Sequence, residues 1–190
     1  MSEQLVGVSA PPVPVLGDGW ALRVVDPDSP DLDLVQRWMQ APHVAAYWLQ
    51  AWPRQRWHEE LSRQLGGTHS RPCLVSRDGI PVLYLEIYRP VLDQLGACYP
   101  ARPQDVGLHL AIGELGRTGR GLVSSLLPVL TAALFEADPL CGRVLLEPDV
   151  RNTAAVRAFG SGGFRLAGEI DLPDKTAALF VCPRTEEDML

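Results

Sequence analysis

The segment GRTGRG, residues 116–121, stands between an apolar strand pattern and a long apolar helix pattern, and that arrangement suits the binding of an anion. Glycines let a chain turn sharply and approach a ligand closely, and the unpaired amide groups at the start of the following helix then point at it. Arg117 and Arg120 add positive charge at the same turn. The spacing is neither a Walker loop, which needs Lys-Ser/Thr, nor GxGxxG, so a plain solvated turn is the competing reading. A second group is His109, in the middle of GLHLAI. A histidine that titrates near neutral pH can pass a proton, although a lone core histidine satisfied by a backbone partner is the commoner case. Asp149 ends the next strand pattern, RVLLEPD, where its carboxylate could orient His109, hold a cationic ligand, or only shape the turn before Asn152. Neither a metal-ligand spacing nor a G-x-S-x-G elbow is present.

The elements that must carry these groups follow from periodicity and breakers. Residues 1–19 read as an extended arm, since Pro11, Pro12 and Pro14 favour polyproline II and remove donors. Residues 20–25 read as a first strand, and 31–40 as a helix with acidic residues at its start, ended by Pro42. Tyr47, Trp48, Trp52 and Trp57 mark a second short helical region continued by 59–66. Strands over 71–76 and 80–89 are joined by the hairpin signal Arg77-Asp78-Gly79. In the second of them Leu83, Leu85 and Ile87 form a packed face, while Tyr84, Glu86 and Tyr88 give the other face two phenols and a carboxylate. A strand at 106–113, a helix at 122–137, a strand at 143–147, and a helix at 152–160 capped by Asn152 come next. Strands at 164–170 and 176–182 close the chain. Residues 20–190 thus form one mixed α/β domain.

Composition bounds the rest. The chain has 190 residues, with 17 Lys+Arg against 23 Asp+Glu and a net charge of −6. That balance excludes nucleic acid as the main partner, because phosphate backbones need a basic face. No run approaches the roughly 20 apolar residues of a membrane span, and the first residues lack the basic and apolar regions of a signal peptide. The four cysteines are scattered, so reduced thiols and a cytoplasmic location are expected. The 17 prolines and 17 glycines punctuate short elements.

The sequence after RVLLE, PDVRNTAAVRAFGSGGF, combines N-x-x-A, an aromatic residue and a terminal GF. With the preceding glycine turn it resembles the GCN5-related N-acetyltransferase (GNAT) superfamily over residues 20–183. The superfamily turn, Q/R-x-x-G-x-G/A, fits in two frames. One begins its glycines at Gly121, with Thr118 at the Q/R position and Val123 at the second glycine; the other uses Gly119 and Gly121. The apolar run that follows favours the first. Five ordered stretches narrow the resemblance: WMQAPHVAAYW (38–48), YLEIY (84–88), DVGLHLAIG (105–113), LFEADPLCGRVLLEPDVRN (134–152) and GEIDLPDKTAAL (168–179). Together they are similar to the siderophore-biosynthesis branch, which includes mycobactin lysine N-acyltransferases and N-hydroxylysine acetyltransferases.

The resemblance implies a GNAT fold: a mixed, mostly antiparallel sheet of about seven strands flanked by helices, whose central parallel strands splay. It also implies transfer from acyl-CoA to a side-chain or terminal amine, often hydroxylated, of a lysine, ornithine or diamine acceptor. Acetyl-CoA is the first expectation, with succinyl-CoA or a longer chain as alternatives, and no metal is implied. The catalytic pair then falls on His109 and Asp149. Amides near Leu110, Ala111 and Ile112 would polarise the thioester carbonyl. Arg117, Gly119, Arg120, Gly121 and Leu122 would hold the pyrophosphate, and Asn152 the pantetheine arm. Trp48, Tyr84, Glu86 and Lys175 would line the acceptor site, Lys175 against an acceptor carboxylate, although packing and surface charge explain each equally well. The competing functions are acetylation of an antibiotic or protein amine, and a silent CoA-binding module. A monomer and a homodimer are equally compatible with the sequence.

Overall fold

The computed structural model describes residues 7–190; residues 1–6 of the expected arm lie outside them. Seven strands form one sheet: β1 (Trp20–Val24), β2 (Ser70–Arg77), β3 (Ile80–Tyr88), β4 (Val106–Ile112), β5 (Arg143–Leu146), β6 (Arg165–Leu172) and β7 (Lys175–Pro183). Their order is β1-β2-β3-β4-β5-β7-β6, antiparallel except for β4 and β5. The β2–β3 hairpin turns on Asp78 and Gly79, whose φ values of 49° and 80° match the turn that suits twisted strands.

Five α-helices cover the two faces. Helices α1 (Asp31–Met39), α2 (Pro42–Trp48) and α3 (Arg54–Gly66) pack on one face with Leu32, Trp38, Trp57, Leu61, Tyr84 and Ala111. Helices α4 (Leu122–Ala137) and α5 (Thr153–Ser161) pack on the other, through Val123, Leu126, Leu130 and Phe159 against Leu83, Leu85 and Ile87. Residues 7–19 form no helix or strand and lie over buried Arg89, which donates to Ser9 O at 3.0 Å and Ala10 O at 3.3 Å and pairs with Asp138.

Three local expectations need correction. The single helical region after residue 42 is two helices, because Leu49 takes a left-handed φ of 58° and Pro53 precedes α3. Pro42 opens α2 instead of only ending α1, a position where its missing N–H is harmless. The phenol face of β3 is also packed: Tyr84 and Tyr88 are fully buried under α2, α3 and the end of β5.

Candidate active site

The site is a fork in the sheet. β4 and β5 pair only at Val106–Val144 and Gly107–Leu145, then diverge. Gly113 N–H reaches Val82 O, and Ile112 O is met by His43 Nε2 at 2.9 Å. Backbone direction alternates along a ladder, so 109, 111 and 113 turn their amides toward β3, while Leu108, Leu110 and Ile112 turn theirs toward the fork. Of the three positions expected to polarise a carbonyl, Leu110 and Ile112 therefore offer their amides to the gap. The amide of Ala111 is committed to β3.

A cleft of about 540 Å³ opens from this fork to the glycine turn. Gly119 and Gly121 have φ of 69° and 74°, a backbone only glycine adopts freely, and Gly121 precedes α4 without any side-chain cap. The first amides of α4 are left to the cleft, which Leu122, Val123 and Ser124 line. Arg117 and Arg120 do not line it. Arg117 is drawn back to Glu114 at 3.5 Å and Arg120 is exposed. The cationic side chain of the cleft is Arg157 on α5, which lies one turn past the Asn152 cap. Asn152 Oδ1 accepts Ala155 N–H at 3.2 Å while the residue still faces the cleft, so capping and lining coexist.

A smaller cavity of about 110 Å³ continues past the fork to His109, Glu147, Asp149 and Lys175. His109 is held at both ring nitrogens. Glu86 Oε2 lies 3.2 Å from Nδ1 and Glu147 Oε1 lies 2.5 Å from Nε2. The Tyr88 ring stacks on the imidazole with centroids 4.4 Å apart, and its hydroxyl donates to Glu147 Oε2 at 3.0 Å. Gly107 makes room for that ring, since a Cβ there would lie 2.2 Å from it. Glu86 also accepts from Tyr84 Oη and Gln64 Nε2, both at 2.9 Å, and Lys175 Nζ lies 3.8 Å from Glu147.

Burial alone would lower the pKa of His109, but the two carboxylates outweigh it and raise it to about 10. Burial likewise pushes Glu86 and Glu147 up, and the imidazolium between them holds both below the usual carboxylate value. The resting site therefore carries a charged histidine clamped by two charged glutamates.

Asp149 does not touch His109. Arg151 binds its carboxylate through Nε and Nη2 and lowers its pKa to about 2, and the residue pairs with Ala177 of β7. Glu147 occupies the expected place because side chains alternate along a strand. Leu145 packs with Tyr88, so the residue two further on faces the same way. That period in RVLLE was available in the sequence, but Glu147 read as a strand end.

Trp48 walls both cavities and stands edge-on to Tyr84 and His109 at 5.4 and 6.3 Å. Tyr84 lies wholly beneath this wall and lines neither cavity, and Glu86 faces His109 from below, so both support the site instead of lining it.

Four similarities to known proteins bear on this geometry. A family model described as an acetyltransferase (GNAT) domain matches residues 28–172. The chain is 41% identical to lysine N-acyltransferase MbtK of Mycobacterium sp. (strain MCS), over 99% of this chain and 77% of that one. It is 34% identical to N(6)-hydroxylysine O-acetyltransferase of Escherichia coli, over 86% of this chain and 52% of that one. A crystal structure of an uncharacterized protein from Bacillus halodurans superposes with a TM-score of 0.82 at 29% identity, covering 93% of this chain and 92% of that one.

Proposed function

This chain belongs to the GNAT acetyltransferase family, and from that premise we propose that residues 20–190 transfer an acyl group from acyl-CoA to the side-chain or terminal amine of a lysine-, ornithine- or diamine-type acceptor, making a hydroxamate arm of a siderophore. The forked strands, the uncapped start of α4 and the continuous cleft suit a thioester donor whose pyrophosphate sits at the glycine turn. The observation that carries the acceptor side is the Glu86–His109–Glu147 clamp in the smaller cavity.

The charge of that clamp favours a hydroxylated acceptor. An alkylammonium, with an ordinary pKa of about 10.4, must lose a proton before it can attack. A histidine already protonated between two carboxylates is a poor base for that task. A hydroxylamine nitrogen is far less basic and arrives neutral. After attack its nitrogen becomes strongly acidic, and a carboxylate can take the proton. The imidazolium of His109 then steadies charge as it develops, and the Leu110 and Ile112 amides, which point away from β3 into the fork, would receive the carbonyl oxygen. Lys175, beside Glu147 and within the smaller cavity, is placed to meet an acceptor carboxylate. Acetyl-CoA is the donor we favour. No helix among the described residues is long and apolar enough to cross a membrane, and we place the enzyme in the cytoplasm, with its donor.

The test is free-thiol release from acetyl-CoA, with mass analysis of the product, across N6-hydroxylysine, N5-hydroxyornithine, N-hydroxyputrescine, kanamycin and a peptide N-terminus. Acetylated hydroxylamines are expected. Preference for kanamycin or the peptide overturns the siderophore reading, and cleft binding without any turnover overturns catalysis.

A further inference from the structure

The sheet has two halves, β1-β2-β3-β4 and β5-β7-β6, and β4 and β5 join them through two rungs, Val106–Val144 and Gly107–Leu145. The sequence offset of these rungs, 38 residues, recurs in a side-chain contact at either end of the short ladder: Arg143 with Asp105 at its closed end, and Glu147 with His109 in the fork. Side chains alternate along a strand, so 105, 107 and 109 share one face, as do 143, 145 and 147. Between the two charged contacts, the Tyr88 ring takes the space beside Gly107 and packs with Leu145. One face of the junction is therefore a column of ion pair, aromatic ring and the His109–Glu147 contact.

The ion pair is built to hold a position. Arg143 donates through Nε to Asp105 Oδ1 at 3.0 Å and through Nη2 to Oδ2 at 2.7 Å, a two-pronged geometry that fixes direction as well as distance. Arg143 Nη2 also donates to Pro100 O at 2.9 Å, and Asp105 Oδ2 accepts from Tyr99 Oη and Arg102 N–H, both at 2.9 Å. Both side chains are buried. A parallel ladder of two rungs specifies its register weakly, and β7 fixes β5 only within the second half of the sheet. Resting on the acyl-transfer reading above, we propose that Asp105 and Arg143 are positioning residues: their ion pair sets the two halves of the sheet in the register that brings Glu147 onto Nε2 of His109. The pair lies four residues from His109 along β4, about 13 Å at the rise of a strand, and neither member lines either cavity. It acts through the junction of the halves and touches no reactant.

The experiment compares wild type with Asp105→Leu/Arg143→Met, which removes both charges together and keeps the volume filled. Asp105→Asn, which keeps the shape of the carboxylate, tests the same point should the double variant fail to fold. The readouts are the titration midpoint of the His109 Cε1 proton by NMR, kcat with N6-hydroxylysine, KM for acetyl-CoA, and the urea midpoint. In the double variant the His109 midpoint should fall from about 10 by about one pH unit or more. Its kcat should fall about 100-fold, as expected for a misplaced contact, with KM for acetyl-CoA within about twofold of wild type. Asp105→Asn should move both in the same direction, with kcat lower by about tenfold. A folded variant with the wild-type His109 midpoint and kcat overturns the proposal, even if its urea midpoint has dropped, because a merely structural pair would do only that. A raised KM for acetyl-CoA with unchanged kcat overturns it as well. Wild type that acylates no amine overturns the acyl-transfer reading, whereas the His109 midpoint needs no turnover and still decides whether the ion pair sets the contact.

Discussion

Nε2 of His109 lies 2.5 Å from Oε1 of Glu147, a carboxylate that projects from the far arm of the sheet fork. The contact joins the two strands at the point where they stop pairing, and it places charged side chains in the gap of the sheet. Asp149, two residues further along, is neutralised by Arg151 instead.

Glu147→Gln should keep the shape of this contact and remove its charge. The expected result is a fall in kcat of about 100-fold or more, with acyl-CoA affinity little changed, because Glu147 is absent from the larger cavity. Steady-state kinetics with varied acetyl-CoA separate the two. An unchanged kcat would take Glu147 out of the chemistry.

The His109 charge makes a pH prediction. Its pKa is raised from 6.5 to about 10, so its contribution to stability is complete below 6.5 and is lost as pH climbs through about 10. Glu86 and Glu147 are held below 4.5, so theirs is present above that value and is lost as pH falls further. The stability excess of wild type over His109→Asn should therefore be greatest between these limits and shrink above pH 10. NMR of the imidazole Cε1 proton reads the midpoint directly; titration near 6.5 would show that the clamp is not charged as described.

Gly107→Ala should be costly although it adds one methyl. Its Cβ would sit 2.2 Å from the buried Tyr88 ring, with little space for that ring to retreat. A loss of about 1–3 kcal/mol is expected from overpacking. Activity should fall as well, since the same ring stacks on His109 and binds Glu147. Urea denaturation and kcat together check this; a variant of normal stability and rate would contradict it.

Gln64 is the buried link behind Glu86. Its Nε2 donates to Glu60 at 2.8 Å and to Glu86 at 2.9 Å, and its Oε1 accepts from Ser70 at 3.0 Å. Gln64→Leu strands these partners and should cost about 1–3 kcal/mol. With one donor gone, the pKa of Glu86 should rise, shifting the acid side of the rate profile upward. A stability loss with an unmoved profile would make Gln64 purely structural.

The strands and helices in chain order and the approximate bounds of most elements were legible because hydrophobic period and breakers are local signals, whereas the insertion of β7 between β5 and β6 belongs to the pairing of the folded sheet. His109 was legible for a related reason: a titratable ring in the middle of an apolar strand is conspicuous. Glu147 was missed because it read as a strand end, although the two-residue period of RVLLE turns it to the same side as Leu145. Tyr84 and Glu86 were expected to line the acceptor site, whereas Tyr84 is buried among the residues of α2 and α3 and Gln64 binds Glu86 from behind. Arg117 and Arg120 were assigned to the anion by proximity in sequence. The positive φ at Gly119 and Gly121 fixes where the turn's backbone goes, and Arg157, farther along the chain, reaches the cleft in their place.

The most direct test of the acylation chemistry is the ratio of kcat/KM for N6-hydroxylysine to that for lysine at pH 7, with acetyl-CoA as donor. A neutral nucleophile facing a precharged histidine should win by about tenfold or more, one pKa unit's equivalent of about 1.4 kcal/mol. A ratio at or below one would contradict the charged Glu86–His109–Glu147 clamp as the device that selects a hydroxylated acceptor.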